Sequence, residues 1–149
     1  MENIIYMGVF FAQSEINAWA QAFDENVLEK NIQAPHVTLK FRPSKEDIEA
    51  LMPHIGEEVD FIVDAYGNDR ENAGFRIVEY ETSARTIRSM LESIKIPHVT
   101  TSVSETGKPV NTPRLFEGRK GCTFPIKPFV LKGKIGAFCS DGKVYTAAV

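Results

Sequence analysis

The tetrapeptide Pro35-His36-Val37-Thr38 recurs as Pro97-His98-Val99-Thr100, so two of the three histidines in 149 residues sit in identical surroundings. In an extended segment the side-chain period of two puts each histidine on the same face as its threonine, roughly 7 Å along the strand. The flanks support strands. Val37, Leu39 and Phe41 alternate with His36, Thr38, Lys40 and Arg42, and Val99, Thr101 and Val103 alternate with His98, Thr100, Ser102 and Ser104. Each segment therefore has an apolar face to bury and a polar face that offers an imidazole and a hydroxyl. Pro35 and Pro97 stand where a strand begins without losing a ladder bond, and the proline is expected to push Ala34 into an extended conformation.

The remainder of the chain supplies elements around these two strands. Asn3 to Phe11 is an apolar, β-rich run that suits a central strand. Ser14 is expected to cap a helix carrying Ile16, Trp19, Ala20 and Phe23, while Ser44-Lys45-Glu46-Asp47 has the offsets of a capping box before Ile48, Leu51 and Met52. Val59 to Ala65 and Phe75 to Tyr80 read as a hairpin across the polar turn at Gly67 to Asn72. Ser83 is then expected to cap a third helix with Ile87, Met90, Leu91 and Ile94 buried. Each half thus runs strand, helix, proline-led His-x-Thr strand. Residues 105 to 121 hold four basic residues against two acidic ones, with three glycines and two prolines, and a connection of this kind is usually functional or disordered. Asp141-Gly142 between two β-rich runs signals a closing hairpin.

A chain of this length is one domain that buries a core without staples. The net charge of −3 argues against a long nucleic-acid footprint and leaves a small or terminal nucleotide open. The absence of a long apolar run, and of a basic region behind Met1-Glu2-Asn3, leads us to expect a soluble, cytoplasmic protein without a membrane partner. Cys122 and Cys139 lack C-x-x-C spacing and are expected as reduced thiols. With no H-x-H or H-E-x-x-H spacing, and His54 at a helix end, no metal or other cofactor is expected.

If the two polar faces share one space, two imidazoles and two hydroxyls converge there. Histidine titrates near neutrality, so a pair serves as general base and general acid within one turnover. Phosphodiester cleavage needs that pair: a base at the entering oxygen, an acid at the leaving oxygen, and donors on the non-bridging oxygens. His36 and His98 are the candidate catalytic pair, with Thr38 and Thr100 as donors. Lys40 and Arg42 share the His36 face if the strand stays regular. Lys108, Arg114, Arg119 and Lys120 offer cations from the basic loop, and Tyr6, Tyr66 and Phe116 offer rings that stack on a base.

Two H-x-T-x motifs, His36-Val37-Thr38-Leu39 and His98-Val99-Thr100-Thr101, about sixty residues apart and each behind a helix, resemble those of the two-histidine (2H) phosphoesterase superfamily. Thr101 departs from the apolar residue usual there. Ser102 to Asn111 also resembles the segment after the second motif in the phosphodiesterase domain of some tRNA ligases. The resemblance implies an α+β fold over residues 1–149, with two pseudo-symmetric lobes whose antiparallel sheets form a concave groove and each supply one motif. It implies metal-independent hydrolysis of a cyclic or 2′,5′- or 3′,5′-linked nucleotide phosphodiester by a monomer. The alternative is a module that sequesters a nucleotide or RNA end in the same groove without cleaving it.

Overall fold

The computed structural model describes residues 3–24, 28, 30–32, 34–117 and 122–147. In chain order the elements are β1 (Ile4–Phe10), α1 (Gln13–Phe23), β2 (Lys30–Asn31), β3 (His36–Phe41), α2 (Lys45–Leu51), β4 (Glu58–Asn68), β5 (Asn72–Glu81), α3 (Arg85–Glu92), β6 (His98–Val103), β7 (Thr123–Cys139) and β8 (Val144–Tyr145). Two 3₁₀ segments, Met52–His54 and Pro109–Phe116, complete the set. The fold is α+β. Every strand pairing is antiparallel, in the order β2-β6-β5-β4-β7-β1-β3, with β8 on β7.

In place of separate sheets, the long strands β4 and β7 join the two motif regions into one. β3 and β6 stand near opposite ends of that order, yet they contact each other, so the sheet curls almost shut along a seam between the motif strands. The alternation read in the sequence decides which face of the sheet packs against the helices. Met7, Val9, Val37, Phe61, Val63, Phe75, Val99, Leu131 and Ile135 are buried in one cluster with Ile16 and Ala20 of α1, Leu51 of α2 and Ile87 and Leu91 of α3. His36 and Thr38 on β3, and His98 and Thr100 on β6, lie on the face opposite this core.

Local chemistry sets most element ends. The capping box at Ser44 forms, with Ser44 Oγ accepting from the Asp47 N–H and the Asp47 carboxylate accepting from the Ser44 N–H. Ser14 does not cap α1: the helix starts one residue earlier, behind Ala12, without a side-chain cap. Ser83 is likewise not the cap of α3. Thr82 Oγ1 accepts from the Ala84 N–H instead, and the helix begins at Arg85. Ala34 is also not extended, since its φ is +49°, a costly region for a residue with a Cβ.

Candidate functional site

Both histidines open their strands and are held alike. The His36 Nδ1–H donates to the Ala34 carbonyl at 3.0 Å, and the His98 Nδ1–H donates to the Ile96 carbonyl at 2.8 Å. A carbonyl two residues back thus fixes the tautomer in each case, leaving Nε2 without a partner among the described residues. The left-handed turn at Ala34 aims that carbonyl. His36 also lies against the Tyr6 ring, with centroids 4.5 Å apart, and the Tyr6 hydroxyl oxygen is 3.3 Å from Nδ1.

Burial lowers the pKa of each imidazole below its ordinary 6.5, because a cation is poorly solvated there. The charge of His98 lowers His36 a little further, and the two motif strands contact each other along the seam.

The threonines are held by a shared device. Gly8 of β1 pairs with Thr38 and Gly74 of β5 pairs with Thr100, and in both places the ladder slips by one residue beside the glycine. A Cβ on Gly8 would stand 2.5 Å from the Val37 carbonyl oxygen, and one on Gly74 would stand 2.6 Å from that of Val99. Only glycine admits so close a backbone approach. The slip makes Leu39 and Thr101 extra residues, which turns the chain after each motif toward the helices.

Those bulges correct the sequence reading of Lys40 and Ser102. Lys40 pairs with core residue Met7, and its charge acts on Asp47 of α2, so it does not share the His36 face. Ser102 pairs with buried Ala73 and is itself fully buried. Arg42 lies past the end of β3 at φ +48°, with its guanidinium over the Phe41 ring, away from the regular alternation.

The hydroxyls differ. Thr38 is exposed, whereas Thr100 is buried and its hydroxyl donates at 2.7 Å to Thr112 Oγ1, which also accepts from Asn72 Nδ2 at 3.0 Å. Segment Pro109–Phe116 thus folds over the row of Gly74 and Thr100, with Thr112 sealed beneath it. It also carries Arg114 and the half-buried Phe116, just after Lys108; both cations are exposed. Arg119 and Lys120 lie outside the described residues.

Neither tyrosine offers a free ring face to a base. Tyr6 stacks on His36 and also on Phe138, at 5.0 Å, and burial pushes its hydroxyl up to about 12. Tyr66 is fully buried on the core side, donating to Asp24 at 3.1 Å, with its pKa raised mainly by burial. Thr101 is buried near that phenol, and its hydroxyl makes no hydrogen bond among the described residues.

Arg76 was not legible as part of the site. It stands directly across from His98 on β5 and binds Asp64 through two parallel bonds of 2.9 and 3.0 Å. The corresponding neighbour of His36 is Phe10, tilted over the ring at 5.4 Å. In a hairpin strand Arg76 reads as an ordinary solvent-facing residue; only cross-strand register brings it to His98. Gly8 and Gly74 did leave a signal, since glycine inside a strand marks a bulge or close backbone approach. Among the described residues no three His, Cys, Asp or Glu side chains group as a metal site.

No protein-family model matches the chain, and no curated protein matches it. The crystal structure of a fungal RNA kinase is similar in fold, with a TM-score of 0.58 at 14% identity. The likeness covers 98% of this chain and 46% of that one, so this chain spans less than half of the kinase's length.

Proposed function

We propose that this protein is a metal-independent phosphodiesterase of the two-histidine class, acting on a cyclic or oligonucleotide phosphodiester. The observation that carries the reading is the pair of identically tethered imidazoles, each with Nε2 available, at the starts of two strands that contact each other along one seam. On this reading β1-α1-β3 and β5-α3-β6 are two related lobes, each holding its motif opposite a glycine.

One imidazole of the pair, neutral, takes a proton from water through Nε2 as the water oxygen forms its bond to phosphorus. The phosphorus–oxygen bond to the leaving ribose oxygen breaks, and that oxygen takes the proton held on the other imidazole. Thr38 donates to a non-bridging oxygen, and Arg76 adds charge at the His98 side. Thr100 contributes its hydroxyl once the bond to Thr112 rearranges. Fold likeness to an RNA kinase is in keeping with an RNA or nucleotide substrate.

The buried, already bonded Thr100 hydroxyl favours one rival, a module that binds a nucleotide or RNA end without cleaving it. Incubation with 2′,3′-cyclic mononucleotides, 2′,5′-oligoadenylates and cyclic dinucleotides, followed by chromatography, separates the two. Hydrolysis that survives EDTA, and that falls at least about a hundredfold in His36→Ala and in His98→Ala, is the expected outcome. Full activity in either variant, or binding without products across the panel, overturns the enzyme reading.

A further inference from the structure

The two ends of the seam differ in what lies beyond them. Past Thr100 the groove is sealed by Pro109–Phe116, whereas Thr38 is exposed. Beside His36 opens a cavity of about 450 Å³, bounded by Phe10, Ala34, Glu58, Lys132, Lys134 and Val144. That volume lies within the usual range for a small-ligand site. The cavity adjoins His36 through two of its walls, since the Ala34 carbonyl accepts from the imidazole and Phe10 tilts over the ring.

Cross-strand register puts Glu58, Lys134, Phe10 and His36 in one row across β4, β7, β1 and β3. Directly paired residues share a face, so the Lys134 side chain rises on the side that carries His36, two strands and roughly 10 Å away. Lys132 is paired with Asp60 at 3.7 Å, while Lys134 is exposed and makes no ion pair among the described residues. Among the described residues Glu58 is the one carboxylate on the cavity wall, suited to a ribose hydroxyl.

We propose that this cavity is a subsite for the nucleotide next to the reacting phosphate, with Lys134 on that nucleotide's own phosphate. The proposal rests on the phosphodiesterase reading and narrows it: the substrate is a chain end that runs outward past His36, with no room for a chain beyond Thr100. Lys134 then discriminates a substrate with a second phosphate from a cyclic mononucleotide.

The test compares kcat/KM for a 2′,3′-cyclic mononucleotide with that for a fluorescein-labelled triribonucleotide ending in a 2′,3′-cyclic phosphate, in wild type, Lys134→Ala and Lys134→Arg. In Lys134→Ala the ratio of trinucleotide to mononucleotide kcat/KM is expected to fall about tenfold, the scale of one charge-assisted phosphate contact, with rescue by arginine. An unchanged ratio overturns the subsite even if both substrates are cleaved. If neither is cleaved, the 2′,3′-cyclic substrate class falls while the wider panel decides the phosphodiesterase reading, and fluorescence anisotropy of the labelled trinucleotide still decides the cavity. Binding weakened about tenfold by Lys134→Ala upholds it as a nucleotide site, and equal binding removes it.

Discussion

At the scale of the residue, the chemistry stems from how little each histidine is solvated. Burial lowers both imidazoles below 6.5, and the charge of His98 lowers His36 again. The base must be neutral and the acid protonated, so the rate against pH is expected to be bell-shaped with both limbs displaced to the acidic side of 6.5. A pH series of kcat/KM measures this, and an optimum above 7 would be at odds with it. Arg76 allows a sharper check. While Arg76 and Asp64 compensate each other, burial is the main influence on His98; in Arg76→Met the cation across from that imidazole is lost and the Asp64 carboxylate, one strand further on, is left uncompensated. The His98 limb is then expected to move up by on the order of one pH unit, while the His36 limb holds.

The elements matter through register more than through propensity. Both motif strands pair a threonine with a glycine and then slip by one residue, so the histidine and threonine face the seam while the residues after them turn to the helices. Gly8→Ala and Gly74→Ala each force a methyl group onto a carbonyl oxygen of the motif strand, and Gly74→Ala also drives it to 2.7 Å from the Thr112 methyl. Each substitution is expected to lower stability by about 1–3 kcal/mol in denaturant unfolding. The same variants are expected to lose turnover under conditions where they remain folded, because the bulge that orients the threonine is the feature removed. Segment Pro109–Phe116 works in the opposite way: it has no strand or helix periodicity, and its place is set by Thr112, which joins Thr100 and Asn72 beneath it.

For the whole molecule, the site's low-dielectric setting carries a cost in acid. Neutral imidazole is favoured in the folded state and the unfolded chain titrates near 6.5, so protonation favours unfolding. Stability is expected to fall as pH drops through 6.5 toward the lowered folded values, with the full penalty present below them. Thermal unfolding between pH 7.5 and 5 measures this, and His36→Ala and His98→Ala are each expected to flatten the slope. Added inorganic phosphate is expected to oppose the loss, by binding the protonated pair.

What the sequence determined by itself was local. Alternation marked the strands, Pro35 and Pro97 marked their starts, Ser44 and Asp47 fixed a helix end, and the doubled His-x-Thr singled out four residues by their repetition. These features depend on neighbours a few positions away, and such neighbours are visible in a string of letters. Only the tertiary structure decided that Lys40 leaves the groove face, that Arg76 stands beside His98 and Lys134 in the row of His36, that Thr100 is sealed and that Tyr6 and Tyr66 are spent on packing. Each of these depends on cross-strand register and on how far one sheet curls, and a single-residue slip in a ladder reverses the face that alternation assigns.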